Sequence, residues 1–102
     1  MKKFTLYVGL NDKDTKIQKI STLEAYKMVN NLLLNTVEGA TISESDGIYK
    51  HENGEIVIEK TLRIELIYTD METVKKIIEI LKSLLNQEAI LLQVQEIENM
   101  FL

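Results

Sequence analysis

Cysteine is missing from the 102 residues, and histidine and arginine occur once each, as His51 and Arg63. The missing thiols exclude disulfides, thiolate catalysis and cysteine-ligated zinc or iron–sulfur sites, so stability has to come from packing. A lone histidine excludes a histidine-based triad and any multi-histidine metal site. His51 stands beside a predicted turn, which marks it as an exposed turn residue. No glycine-rich phosphate loop occurs, and no apolar run approaches a membrane span. Met1-Lys2-Lys3-Phe4 leads into strand-like alternation instead of a secretion signal, so the expected location is cytoplasmic, with no membrane partner.

What is present describes an ordinary globular chain, 45% hydrophobic and 27% charged, with a net charge of −4. Lys2, Lys3, Lys13, Lys16 and Lys19 are interleaved with Asp12 and Asp14 instead of massed. That distribution argues against a nucleic-acid partner held by phosphate neutralisation. The length suits one domain, residues 1–102, built around a single two-layer core.

Phe4, Leu6, Val8 and Leu10 alternate with Lys3, Thr5, Tyr7 and Gly9, the period of a half-buried strand. Residues 11–19, NDKDTKIQK, have no apolar period and read as a solvated surface loop. Ser21-Thr22-Leu23-Glu24 is a capping box that opens a helix running to about Asn35, with Ala25, Val29, Leu32 and Leu33 as its apolar stripe. A second strand starts near Ala40. After the third strand, Asp70 caps a second helix whose core face is Val74, Ile77, Ile78, Leu81, Leu84 and Leu85. A last strand covers Ala89 to Ile97, with Ile90, Leu92 and Val94 as its buried face.

Asn53-Gly54, between two β-branched runs, predicts a two-residue type I′ hairpin loop, since both residues tolerate positive φ. In that register Glu52 faces Glu55, and Ile42 at the base would point to solvent. One extra residue in the first arm repairs the phase, and Asp46-Gly47 is the natural place for such a bulge; a longer loop at the tip is the alternative. The element order is therefore β-α-β-β-α-β. That is the ferredoxin-like, α+β two-layer arrangement, with an antiparallel sheet of order 4-1-3-2 and a long projecting hairpin between the second and third strands.

Reach then decides the outlook for association. A helix of about 14 residues covers roughly 21 Å, whereas the arm from Glu55 to Tyr68 extends roughly 45 Å as a strand. Ile48, Tyr49, Ile56, Val57 and Ile58 should lie beyond the helical layer, on a ribbon that is marginal in water by itself. They are expected, with Glu59 and Thr61, to form the interface of a homo-oligomer, a dimer by base rate or a trimer. The sheet face away from the helices carries Thr5, Tyr7, Thr41, Glu59, Thr61, Arg63, Glu65, Leu91, Gln93, Gln95 and Ile97, a semi-polar surface with apolar islands. On it, Glu59, Arg63 and Glu65 read first as an ion-pair ladder. The alternative is a pocket in which Tyr7, Arg63, Glu65 and Gln93 bind a small polar or anionic ligand. Asp12, Asp14, Glu44 and Asp46 lack the spacing of a calcium loop, so no metal site, cofactor or catalytic residue is assigned. An RNA-recognition surface would need stacking aromatics, and Tyr7 is the only one on the open face of the central strands.

Five short pieces fall in order along the chain: Tyr7-Val8-Gly9-Leu10, Gly39-Ala40-Thr41-Ile42, Gly47-Ile48-Tyr49, Gly54 to Thr61, and Gln87-Glu88-Ala89. Together they resemble a small bacterial domain-of-unknown-function family. In that family the first piece reads tyrosine-aromatic-glycine-leucine, the third glycine-x-aromatic and the last glutamine-glutamate-serine. The chain departs from that pattern at Val8, at Tyr49 in place of tryptophan and at Ala89 in place of serine. It also lacks the secretion signal many members carry. The resemblance implies a fold and no activity, and it draws attention to Tyr7, Thr41, Glu59 and Thr61 on the face away from the helices.

Three functional readings follow. The first is a non-enzymatic, self-associating binding or interaction module. The alternative is an enzyme of the dimeric α+β barrel type with a cavity between paired sheets. A third reading is a phage or mobile-element accessory protein that binds another protein.

Overall fold

Four strands form one antiparallel sheet. The computed structural model describes residues 1–102, in the order β1 (Lys2–Gly9), α1 (Thr22–Leu34), β2 (Ala40–Lys50), β3 (Ile56–Leu66), α2 (Met71–Leu84) and β4 (Leu91–Glu96). The sheet runs β2-β3-β1-β4, which is the expected 4-1-3-2 arrangement of a ferredoxin-like fold. Both helix starts carry a side-chain cap, but of the expected capping box only the serine half forms, since the Glu24 carboxylate stands 3.7 Å from Lys27 Nζ instead of reaching back to the Ser21 amide. The Ser21 hydroxyl accepts the Glu24 amide at 3.2 Å, and the Asp70 carboxylate accepts the Thr73 amide at 2.8 Å.

Alternation sorts the sheet into two faces. Phe4, Leu6 and Val8 pair across the ladder with Leu66, Ile64 and Leu62, and all six are buried beneath Ala25, Val29 and Leu33 of α1 and Val74, Ile77 and Leu81 of α2. Each such aliphatic side chain contributes about 1.5–3 kcal/mol by leaving water. The other face bears Thr5, Tyr7, Arg63 and Glu65.

The arm outruns its cover, as reach predicts. β3 is buried at Leu62, Ile64 and Leu66, yet Ile56 and Ile58 on the same face are 64% and 66% exposed. Ile58 pairs with Ile48, and Val57 with Tyr49. The molecule is 47 Å along its long axis and 25 Å or less across the other two.

Three local expectations are corrected. The proposed bulge at Asp46-Gly47 is absent, because β2 and β3 pair without interruption from Ala40↔Leu66 to Lys50↔Ile56. The phase is absorbed at the tip. The Gly54 amide donates to the His51 carbonyl at 2.9 Å, and the His51 amide to the Glu55 carbonyl at 2.8 Å, which makes a three-residue loop with Gly54 at φ +88°. Only glycine takes the left-handed conformation there, so Asn53 is spared the positive φ that a type I′ turn demands. An extra residue in a solvated turn costs no ladder hydrogen bond, whereas a bulge would. The second correction is the last strand, which is shorter than Ala89 to Ile97, and its Val94 is 43% exposed because β4 is an edge strand with no neighbour outside it. Third, the loop after β1 is not wholly solvated: Asp12 is buried.

Candidate functional site

On the open face, sheet register brings three of the four expected ligand residues together. Tyr7 lies directly opposite Arg63, and Thr5 opposite Glu65. Arg63 Nε donates to the Tyr7 hydroxyl at 3.3 Å, and its Nη1 donates to Glu65 Oε1 at 2.7 Å. The guanidinium carbon stands 5.9 Å from the Tyr7 ring centroid. Lys3 Nζ reaches the second Glu65 oxygen at 2.8 Å. Gln93 pairs with Thr5 on the same face, but no hydrogen bond joins it to the cluster.

The charges support one another. The Tyr7 hydroxyl, followed by the neighbouring Glu65 carboxylate, raises the Arg63 guanidinium above its ordinary value. The hydrogen bond from Lys3, with Arg63 adding to it, holds Glu65 below the usual carboxylate range. Lys3 was missing from the expected site, although its odd position on the first strand puts it on the same face as Thr5 and Tyr7. The expected ladder of Glu59, Arg63 and Glu65 is only half formed, since Glu59 turns elsewhere.

Glu59 folds across Gly9. A Cβ built on Gly9 would lie 2.5 Å from the Glu59 carboxylate, and Glu59 Oε2 accepts the Asn11 amide at 2.8 Å. This close approach explains why glycine ends β1. Just beyond it, Asp12 receives the Asn86 amide group at 2.7 Å on one oxygen, and the backbone amides of Asp14 and Thr15, both at 3.0 Å, on the other. Asn86, with Thr15 next, holds the Asp12 carboxyl down to about 2. Asn86 itself closes α2, at φ 48° with the Gln87 amide donating to the Lys82 carbonyl at 2.9 Å, the geometry of a Schellman cap. Gln87 is buried and donates its side-chain amide to the Asn11 carbonyl at 2.7 Å.

This corner borders an open groove of about 570 Å³ between the projecting half of β3 and the loops around Asn11 and Gln87. Lys13, Lys16, Val57 and Glu88 also line it. Tyr7, Arg63 and Gln93 do not, so the expected ligand residues and the largest groove are separate features. No three His, Cys, Asp or Glu side chains converge as metal ligands.

No family model matches the chain, and no curated protein does. Its fold is similar to solved structures at low sequence identity. A phage SAM lyase in complex with S-methyl-5'-thioadenosine superposes with a TM-score of 0.66 at 20% identity, over 93% of this chain and 80% of the lyase. The periplasmic divalent cation tolerance protein CutA from Archaeoglobus fulgidus gives 0.62 at 16%, over 99% and 88% of the two chains. CutA1 from Oryza sativa gives 0.61 at 16%, over 99% and 84%.

Proposed function

We propose that this protein is a non-enzymatic, self-associating module, a homo-oligomer held through the β2–β3 ribbon and the open sheet face. The observation that carries this reading is the ribbon itself: Ile48, Ile56 and Ile58 are 70%, 64% and 66% exposed, side by side, although β3 buries Leu62, Ile64 and Leu66 on the same face of its other half. An apolar ribbon of this kind is marginal in water and finds its stability against a second surface. Tyr49, Val57, Glu59 and Thr61 belong to the same interface in this reading. Tyr7, Arg63 and Glu65, joined by Lys3, would offer a small polar or anionic ligand its charged contacts once a facing subunit encloses them. Gln93 would complete that wall. The resemblance to the small bacterial family accords with this reading, because its matching residues Tyr7, Thr41, Glu59 and Thr61 share the open face.

No helix is long and apolar enough to cross a membrane, and a cytoplasmic location belongs to the same proposal. Sedimentation at micromolar concentration tests the assembly. The expected result is a mass of two or more chains, reduced to one chain by the double substitution Tyr49→Asp and Ile58→Asp with helical signal retained. A monomeric wild type would overturn the proposal.

One observation favours the enzymatic alternative: a groove of about 570 Å³ in a fold shared with a lyase that holds S-methyl-5'-thioadenosine. Incubation with S-adenosylmethionine, followed by chromatography for S-methyl-5'-thioadenosine, decides it. Product formation that scales with protein would replace the non-enzymatic reading.

A further inference from the structure

Alternation along β3 breaks at Tyr68. Leu62, Ile64 and Leu66 are buried under the helices, and Tyr68 is the next residue in that series. Its φ is +58°, a left-handed conformation that costs a residue with a Cβ roughly 1–2 kcal/mol. Strained positions of this kind gather at active sites and ligand clamps. The turn takes the ring out of the core series: Tyr68 is 48% exposed and stacks on Phe101, with centroids 6.1 Å apart and planes 22° from parallel. Phe101 is itself 83% exposed, so the two rings form an aromatic shelf facing solvent.

The shelf borders an open cavity of about 500 Å³ at the end of the sheet opposite the ribbon. Ile67 and Ile97 line it beside the rings, and Lys3, Thr41, Glu65 and Asn99 supply polar atoms. Its donors are underused. Lys3 Nζ carries three hydrogens and has one partner, Glu65 at 2.8 Å. The Asn99 side-chain amide donates only to the Met1 sulfur, at 3.1 Å, a weak acceptor. Glu65 also holds Arg63 at 2.7 Å, so two cations share one carboxylate and a positive charge is left over. Glu38 at the cavity wall is exposed, with its charge screened by water. Apolar rings beside spare donors and an unbalanced cation suit a flat ring that carries a negative charge.

We infer that this cavity binds a small aromatic carboxylate, its ring against Tyr68 and Phe101 and its carboxylate on Lys3 Nζ and the Asn99 amide. This rests on the ligand site proposed above, because Lys3 and Glu65 belong to both, and it names the ligand class. It also seats the ring away from Tyr7 and Gln93, which lie outside the cavity. Self-association is not required, since every lining residue comes from one chain. The strain at Tyr68 then has a use: it holds an aromatic surface toward the ligand instead of toward the core.

Benzoate is the probe, with acetate and benzamide as controls that lack the ring and the charge. In a titration followed by amide nuclear magnetic resonance, benzoate is expected to move Lys3, Thr41, Tyr68, Asn99 and Phe101 saturably. Each control should bind about tenfold more weakly or worse. Lys3→Met and Phe101→Ala should each weaken benzoate by about tenfold. Tyr68→Gly separates binding from folding: glycine relieves the left-handed strain, so the urea midpoint should hold or rise while benzoate affinity falls by about tenfold. A Tyr68→Gly variant that binds benzoate as well as wild type overturns the inference, whatever its midpoint. Acetate binding as tight as benzoate, or benzoate shifts confined to Tyr7, Arg63 and Gln93, overturns the aromatic seat while the charged wall proposed above stands. No saturable benzoate binding also overturns it. Benzoate bound at the shelf by a protein that sediments as a monomer supports it and removes the facing subunit from the earlier reading.

Discussion

β3 is two strands in one. Its C-terminal half places Leu62, Ile64 and Leu66 at 0% exposure, while its N-terminal half places Ile56 and Ile58, equally aliphatic and on the same face, at more than 60%. The hydrogen-bonded partner β2 runs beside both halves, so pairing does not separate them. What separates them is a second layer: α1 and α2 cover one half and stop, and β1 ends at the same level. Side chains that stabilise the fold in one half are therefore available for association in the other.

The largest expected effect tests that difference directly. Ile64→Ala should cost about 2–5 kcal/mol by leaving a cavity under the helices. Ile58→Ala should change monomer stability by about 0.5 kcal/mol or less, measured by urea unfolding at submicromolar protein. Equal costs would erase the distinction between the halves. A smaller effect is expected at their boundary, where Glu59 lies over Gly9. Gly9→Ala displaces that carboxylate and deprives the Asn11 amide of its acceptor, a loss of about 1–3 kcal/mol, and Glu59→Ala should reproduce most of it. Additive losses in the double variant would show that the two residues act independently.

The narrowest effect concerns acid. The Asp12 carboxyl is held at about 2 in the folded chain against an ordinary 3.8, so its stabilising contribution is complete above about 4 and is lost as pH falls towards 2. Asp12→Asn should remove that part of the acid dependence and leave the rest of the urea–pH profile parallel to wild type. An unchanged profile would mean that the loop beside the projecting half is anchored by other contacts.

Elements and their caps were legible because their signals are local. Ser21 and Glu24, Asp70 and Thr73, and the period-two run from Phe4 to Leu10 act over a few residues, and each stands where its spacing implies. The anchored corner was not legible. Asp12 meets Asn86 across 74 positions, and Glu59 meets Asn11 across 48, so NDKDTKIQK read as plain solvated loop. The tip was misread for a subtler reason. Asn53-Gly54 suits two turn types that differ by one residue in register, and the continuous ladder behind it, not the dipeptide, selects between them. In the open-face cluster, Tyr7, Arg63 and Glu65 were identifiable by alternation, and Lys3 by the same rule.

By itself the amino-acid order determined the element types, the ferredoxin-like topology and the length of an arm too long for its helices, since periodicity, capping and rise per residue are properties of short stretches. Only the tertiary structure decided where β1 stops against β3, which carboxylate lies over Gly9, and which edges remain open. Those are matters of residues far apart in the chain meeting in space, and no window of sequence contains both members of such a pair.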